Sequence, residues 1–340
     1  MVAQDSSNTS KLEKATAFSW RSGMGYWLGW VLKISLFAGS IWGVWYQLGQ
    51  KDLLHKLYGE LGLLVGFQPI LFLAILLLPL NWGAEALKWQ FLARKLEPIT
   101  WFEALQGVVT GVALGFWTPQ IIGDYAGRTL QLQTAGRSRS AGAIMLSNAS
   151  QFIVSYLIGC AGLLYYANVY GFPDFPAIQG LSFTLGISGC LLVLMYFNCR
   201  LFSDITERSV PKTVLSRVLS ILKEYSQKEL FVVLLISLGR YLIFGTQFYL
   251  LFQLFGITLP VSIMLPGIAI IYLIKTIIPS LNIVGDLGLR EVTALFYFQQ
   301  FGAWQEKVVA ASLLLWCINL LIPTIGGLFL IWRIKLTTKR

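Results

Sequence analysis

The chain is short of nearly everything that does chemistry in water. It has one histidine, His55, in a mixed-charge stretch with no ligand-type neighbours, so no histidine pair can hold a metal. Its four cysteines, Cys160, Cys190, Cys199 and Cys317, lie within or at the ends of apolar runs, at no metal-ligand or redox spacing. They read as small core residues. There is no nucleotide-type phosphate loop and no nucleophile–base–orienter set, which argues against an enzyme and against a bound cofactor. Charge is scarce as well. Charged residues make up 12% of the chain, about half the roughly 25% of a soluble domain.

What is present is apolar. The chain of 340 residues is 56% hydrophobic, with a mean hydropathy of +0.67. Several runs are long enough to cross a bilayer, which marks an all-α polytopic membrane protein. The net charge of +10 sits in loops and tails, so it speaks of membrane sidedness and not of nucleic acid.

In chain order, a polar arm covers 1–24 and a single transmembrane domain covers 25–332, followed by a basic tail at 333–340. Full spans are expected at 25–47, 64–90, 141–169, 179–198, 230–255 and 306–332. Trp27, Trp30, Trp42 and Trp45 sit toward the ends of the first, where interface anchors belong. The basic connector 199–228 has Leu215, Leu219 and Leu222 at helical spacing, so it is expected to rest on the membrane surface.

Two stretches interrupt this pattern in the same way. One runs from Pro119 through Gly123 and Asp124 to Arg128. The other runs from Pro279 through Gly285, Asp286 and Gly288 to Arg290 and Glu291. Both contain Gly-Asp-x-x-x-Arg. Proline and glycine break a helix, and Asp after Gly is suited to cap a new one. Asp and Arg at i,i+4 then pair along that helix. Each stretch therefore reads as a broken helix restarting at its aspartate.

Shifting the chain by the distance from Gly123 to Gly285, 285 − 123 = 162 residues, keeps three elements in register. The repeat halves are about 64–169 and 226–331. If both Gly-Asp stretches crossed the membrane, the basic connector 199–228 would lie outside, against the positive-inside rule. If each is a re-entrant hairpin, every strongly basic loop and both termini are cytoplasmic. That gives six spans and two re-entrant elements, with three spans between repeat starts. The repeats are then inverted, as in many secondary transporters.

The ionisable residues inside apolar segments are the candidate substrate contacts: Glu85, Asp124, Arg128, Arg240, Lys275, Asp286, Arg290 and Glu291. Capping alone also explains the aspartates, and a buried ion pair alone also explains Arg240. The expected partner of Arg240 is Glu85, Asp124, Asp286 or Glu291. Lys275 either snorkels or joins them. Arg128 and Arg290, beside helix N-termini, suit a phosphate. Asn282 is expected to satisfy backbone groups freed at the second break.

These stretches resemble the paired motifs of the lysylphosphatidylglycerol synthase transmembrane-region family, also called flippase-like integral membrane proteins. The early family motif is Pro-Gly-x-x-Gly-Glu-x-x-Arg. Here it becomes Pro119-Gln-Ile-Ile-Gly123-Asp124-Tyr-Ala-Gly-Arg128, with Asp for Glu and the arginine one residue later. In the late motif, Pro-Gly-Gly-x-Gly-x-x-Glu, Gly285, Gly288 and Glu291 fall in place. The run from Asn81 with Ala84, Leu87, Lys88 and Trp89 is also similar. The resemblance covers about 25–332 and implies handling of an anionic phospholipid or lipid-linked substrate, often by flipping it between leaflets. Better-known members add a soluble aminoacyl-transfer domain, for which this sequence has no room, so lysyl transfer is not expected. The alternatives are a non-catalytic accessory subunit of a glycosyl- or acyltransferase and, less favoured, an intramembrane enzyme. The expected location is a bacterial inner membrane.

Overall fold

In the computed structural model, residues 68–133, 136–170, 178–210, 213–278 and 283–333 are described, along with isolated positions 59 and 62. The arm 1–24, the expected span 25–47, Pro279 and Asn282 lie outside them. The described chain is all helix. In order, the helices are α1 (Pro69–Ala93), α2 (Trp101–Trp117), α3 (Gln120–Thr129), α4 (Arg137–Tyr170), α5 (Ile178–Phe197), α6 (Cys199–Ser209) and α7 (Val214–Ser220). After a 3₁₀ turn at Ile221–Glu224 come α8 (Gln227–Leu254), α9 (Val261–Ile277), α10 (Ile283–Gln299), α11 (Gln305–Trp316) and α12 (Ile322–Arg333), the last two joined by a π turn at Cys317–Leu321.

Four helical rods, α1, α4, α8 and α11–α12, are long and apolar enough to cross a bilayer. A fifth arises if the apolar α5 is counted with α6, which bends off it by 70°. Local chemistry sets the helix starts. Thr100 with Glu103 forms a capping box before α2, and Ser226 with Glu229 forms another before α8.

The first Gly-Asp stretch is a helical hairpin, α2 turning into α3. The break falls at Thr118 and Pro119, whose ψ angles are 167° and 130°. The break was expected at Gly123, with Asp124 capping the new helix. Instead Pro119 precedes α3, and both residues lie inside it. Proline sets that boundary because its fixed φ suits a helix start. Gly123 has another task. A Cβ there would come within 2.2 Å of the Gly115 backbone nitrogen, and one on Gly127 within 2.1 Å of that of Gly111. The two helices touch backbone to backbone, the contact that small residues four apart permit inside membranes.

In the second stretch, α9 ends at Ile277 and α10 begins at Ile283, so Gly285, Asp286 and Gly288 also fall within a helix. Asp286 therefore does not stand before its helix as a cap.

α1 packs along α8, α4 along α9, and α12 along α2. Gly159 and Gly162 of α4 meet Leu273 and Ala269 of α9, while Gly327 of α12 meets Val109 and Ala113 of α2. One apolar core gathers around Phe248, Phe252, Tyr272 and Phe298, and another around Trp82, Trp89, Leu92 and Val108.

One end of the bundle collects the polar connections. Lys95 pairs with Glu229 at 2.8 Å, Arg139 pairs with Glu224, and Tyr225 Oη donates to the Leu92 carbonyl at 2.7 Å. The connector 199–228 is thus tied to the end of α1 through Tyr225 and to the start of α4 through Glu224, and the loop after α1 is tied to the start of α8. Its leucines are not a membrane-facing stripe: Leu222 is buried in the core and Leu219 packs against it, leaving Leu215 exposed. The exposed apolar face belongs to α6, through Leu201, Phe202 and Ile205.

Candidate functional site

The site is built on one face of α1. Asn81, Trp82, Glu85, Lys88 and Trp89 follow the three- and four-residue spacing of a helix stripe and are all buried. Glu85 is the hub. Its Oε2 lies 2.9 Å from Lys88 Nζ and 3.1 Å from Arg240 Nη1, and its Oε1 lies 2.7 Å from Arg128 Nη2. Asp124 adds a second acid, 2.6 Å from Arg128 Nε. The i,i+4 pair expected along the helix is therefore present in α3. A carboxylate at this depth is sustained only by such partners.

Arg128 is buried and spread over three elements. Nε donates to Asp124, Nη1 to Ser147 Oγ at 3.3 Å on α4, and Nη2 to Glu85 on α1. Its guanidinium carbon also stands 5.4 Å from the centre of the Trp89 ring. It sits in the last turn of α3, not one turn from the start as the spacing suggested. Its charge therefore faces the negative end of that helix, and about 12 Å of helix separates it from the N-terminus.

Arg240, halfway along α8, is more open, with 14% of its side chain exposed. Its partner is Glu85, one of the four acids expected. Nε donates to Asn81 Oδ1 at 3.0 Å, and Nη1 reaches Gln151 Oε1 at 3.4 Å. Trp82 and Phe244 flank it, with ring centres 5.3 and 5.1 Å away. The paired set holds three cations, Lys88, Arg128 and Arg240, against two acids, Glu85 and Asp124, so 3 − 2 leaves one positive charge over.

A second polar knot ties α10 to α11. Arg290 Nε donates to Ser312 Oγ at 2.9 Å, and its Nη2 to Glu291 Oε1 at 3.1 Å and to the Ser312 carbonyl at 3.0 Å. Ser312 Oγ in turn donates to Glu291 at 2.6 Å. The Asp286 side chain is outside the described residues. Lys275, in the last turn of α9, is half-buried, and it is not among the residues paired with Glu85. The structure thus gathers Glu85, Asp124, Arg128 and Arg240 into one cluster and places Arg290 with Glu291 in another. Asn319 on the π turn reaches toward the first cluster, accepting from Asn81 Nδ2 at 2.8 Å. Such turns recur at functional sites.

The sequence reading missed Lys88, Ser147, Asn148, Gln151, Ser312 and Asn319. Lys88, near the end of the expected span 64–90, is not among the candidate contacts, yet it is 1% exposed and pairs with Glu85. Its distance of seven residues from Asn81 and three from Glu85 was the available signal. No group of three or more potential metal ligands occurs among the described residues.

A family model described as the lysylphosphatidylglycerol synthase TM region matches residues 30–327. No curated protein matches the chain. The match spans both Gly-Asp stretches, the Glu85 cluster and the Arg290 knot, and its members are membrane proteins linked to lipid handling. The chain therefore belongs to the lysylphosphatidylglycerol synthase transmembrane-region family.

Proposed function

We propose that the protein is a flippase-like transporter that binds an anionic lipid head group at the Glu85 cluster and helps carry it across the bilayer. The observation that carries this reading is the surplus positive charge around Glu85, with Arg240 left partly accessible. A buried surplus charge is costly unless an anion answers it. Arginine is the residue suited to phosphate, because its planar fork grips two oxygens. Arg240 is the candidate contact, since the nitrogens of Arg128 are already turned to protein acceptors.

The packing supports the inverted repeat that such a transporter would use. The helix before each break packs against a long helix of the other half: α2 against α12, and α9 against α4. The two leading helices, α1 and α8, pack on each other. Exchange of this kind is what a two-fold relation between halves would produce, and with Glu85 on α1 and Arg240 on α8 the cluster would then lie between them.

The test is reconstitution into liposomes with a fluorescent anionic phospholipid and a membrane-impermeant quencher. Wild type should expose inner-leaflet label to the quencher. Arg240→Gln should abolish this, and Arg240→Lys should restore only part. Lipid binding without movement in wild type would replace the transporter reading with that of a non-catalytic accessory subunit.

A further inference from the structure

Beside the Glu85 cluster lies a cavity of about 860 Å³, walled by α3, α4, α5, α6 and α7. Pockets that enclose small ligands run to about 300–1,000 Å³. Its lining is alkyl and aromatic apart from Asn148, Cys199 and the hydroxyls of Tyr125 and Tyr196, which donate to the Arg137 and Leu230 carbonyls. Asn148 is no stray amide. Its Nδ2 donates to Asp124 Oδ2 at 3.2 Å, and Asp124 holds Arg128. The inner part of the cavity therefore adjoins the buried charges.

The α4 wall has a register. Ala141, Met145, Asn148 and Phe152 line the cavity at four- and three-residue steps. Arg137, four residues before Ala141, continues that face to the start of the helix. From Arg137 to Phe152 is 15 residues, or about 22 Å of helix, enough to span the roughly 15 Å depth of one leaflet. Tyr125 pins the outer end, lining the cavity while its hydroxyl donates to the Arg137 carbonyl at 3.0 Å. On the facing side, Arg200 follows Cys199, another lining residue. Arg137 and Arg200 are both exposed, and neither is in an ion pair among the described residues. α6 carries the outward apolar face Leu201, Phe202 and Ile205 at this same mouth. A helix of that kind lies in the plane of a membrane surface.

We infer that this cavity is a binding site for a diacyl phospholipid with an anionic head group. Its acyl chain lies along α4, and its phosphate meets Arg137 and Arg200 at the edge of the leaflet on the α6 side. An apolar slot of leaflet depth, with the exposed Arg137 on the lining face of α4 and the exposed Arg200 next to the lining residue Cys199, matches that amphiphile. The inference rests on the lipid-handling reading, to which it adds a waiting position beside the charges.

The full chain, stripped of lipid in detergent, is incubated with phosphatidylglycerol, phosphatidylcholine or palmitate, and adducts are counted by native mass spectrometry. Phosphatidylglycerol should be retained over both others by about tenfold, or 1.4 kcal/mol. Ala149→Trp, which fills the cavity, should remove that retention, with Met145→Trp as a second filling variant should the first not fold. Arg137→Gln with Arg200→Gln should abolish the preference for phosphatidylglycerol while leaving retention of phosphatidylcholine. Full retention in both filling variants would overturn the inference, assigning the cavity to protein such as the apolar run 25–47. Equal retention of palmitate, or of phosphatidylcholine by wild type, would overturn the diacyl or the anionic part. Translocation is not read here. A chain that retains this lipid but never moves it therefore sinks the transport reading alone, and one that moves lipid but retains none sinks this one.

Discussion

Asn81 links Arg240 to Asn319, taking a hydrogen bond from Arg240 Nε at 3.0 Å and giving one to Asn319 Oδ1 at 2.8 Å. One amide side chain thereby couples α8, α1 and the π turn after α11. Seven residues before Asn319, on the same side of that rod, Ser312 accepts from Arg290. The α11–π segment is thus the physical link between the two polar knots. A displacement of that rod would be felt at both. Coupling through packed, hydrogen-bonded elements is how a transporter can tie the states of its two halves together.

Glu85 is the residue whose loss should cost most. Three cations face it, and only Asp124 would remain to answer them. Removing one partner of a buried pair costs about 3–5 kcal/mol, mostly from the stranded charge. Glu85→Gln should therefore lower the melting temperature in detergent more than Arg240→Gln does. The double variant should recover part of the loss. A double variant no more stable than Glu85→Gln would mean that Arg240 is solvated rather than paired.

The α2–α3 hairpin should be sensitive to one methyl group at Gly127 and indifferent to one at Gly115. A Cβ on Gly127 meets backbone at 2.1 Å, whereas on Gly115 the nearest atom is at 3.4 Å, an ordinary contact. Gly127→Ala must push the two helices apart and drag Arg128 from Glu85. Gly115→Ala should melt like wild type. Thermal melts of the two variants decide it, and equal melting would mean the hairpin is looser than backbone contact requires.

Four of the expected spans, 64–90, 141–169, 230–255 and 306–332, and the partner class of Arg240 were legible because they follow from composition and from the cost of charge in hydrocarbon. The 64–90 run became Pro69–Ala93, and 141–169 became Arg137–Tyr170. The role of Gly123 was not legible. A glycine that ends a helix and one that lets two helices touch are written alike, and only the facing Gly115 distinguishes them. The burial of Lys88 was not legible for a related reason. A lysine near the end of an apolar run usually snorkels, and its burial is set by Glu85 together with the helices that close over it. Asn319 and Ser312 left no signal, since single small polar residues in apolar runs are common.

The charge pattern predicts that Ala135, Val210 and Thr337 face the cytoplasm. The ties from Arg139 to Glu224 and from Lys95 to Glu229 already bring the loop before α4 and the connector to one end of the bundle. Single cysteines at these three positions, with the four native cysteines replaced, should resist an impermeant thiol reagent in intact cells. Labelling of position 210 from outside would sink the model of two re-entrant hairpins.

The connector should be held shut by charge and released by acid. Lys223 Nζ lies 2.7 Å from both Asp204 and Glu207. Its hydrogen bond holds the Asp204 carboxyl below the usual range. A depressed carboxylate pKa makes the contact's contribution present above the unfolded value, about 3.9, and lost as pH falls through the folded one. All three groups are at least partly exposed, so the contact is weak and screened by salt. A spin label at position 206 should keep one mobility down to about pH 4 and loosen below it. Lys223→Gln should show the loose signal at neutral pH, and an unchanged signal would place the latch elsewhere.

Arg128 and Arg290 should answer to lysine replacement differently from Arg240. Nε, Nη1 and Nη2 of Arg128 go to Asp124, Ser147 and Glu85, which lie on three helices. Arg290 divides itself among Ser312 Oγ, the Ser312 carbonyl and Glu291. A lysine ammonium has one nitrogen and cannot reach such spread acceptors, so the charge would survive and the bracing would not. Each buried acceptor left unanswered costs about 1–3 kcal/mol. Arg128→Lys and Arg290→Lys should therefore melt earlier yet bind anionic lipid in proportion to the folded fraction. Arg240→Lys should do the reverse, since its 14% exposure leaves room for a ligand and its bond to Gln151 is long. Melting curves alongside native mass spectra of lipid adducts separate the two patterns. If Arg128→Lys or Arg290→Lys keeps its melting temperature and loses lipid, that arginine reaches the substrate directly, and the bracing drawn here is what the lipid displaces.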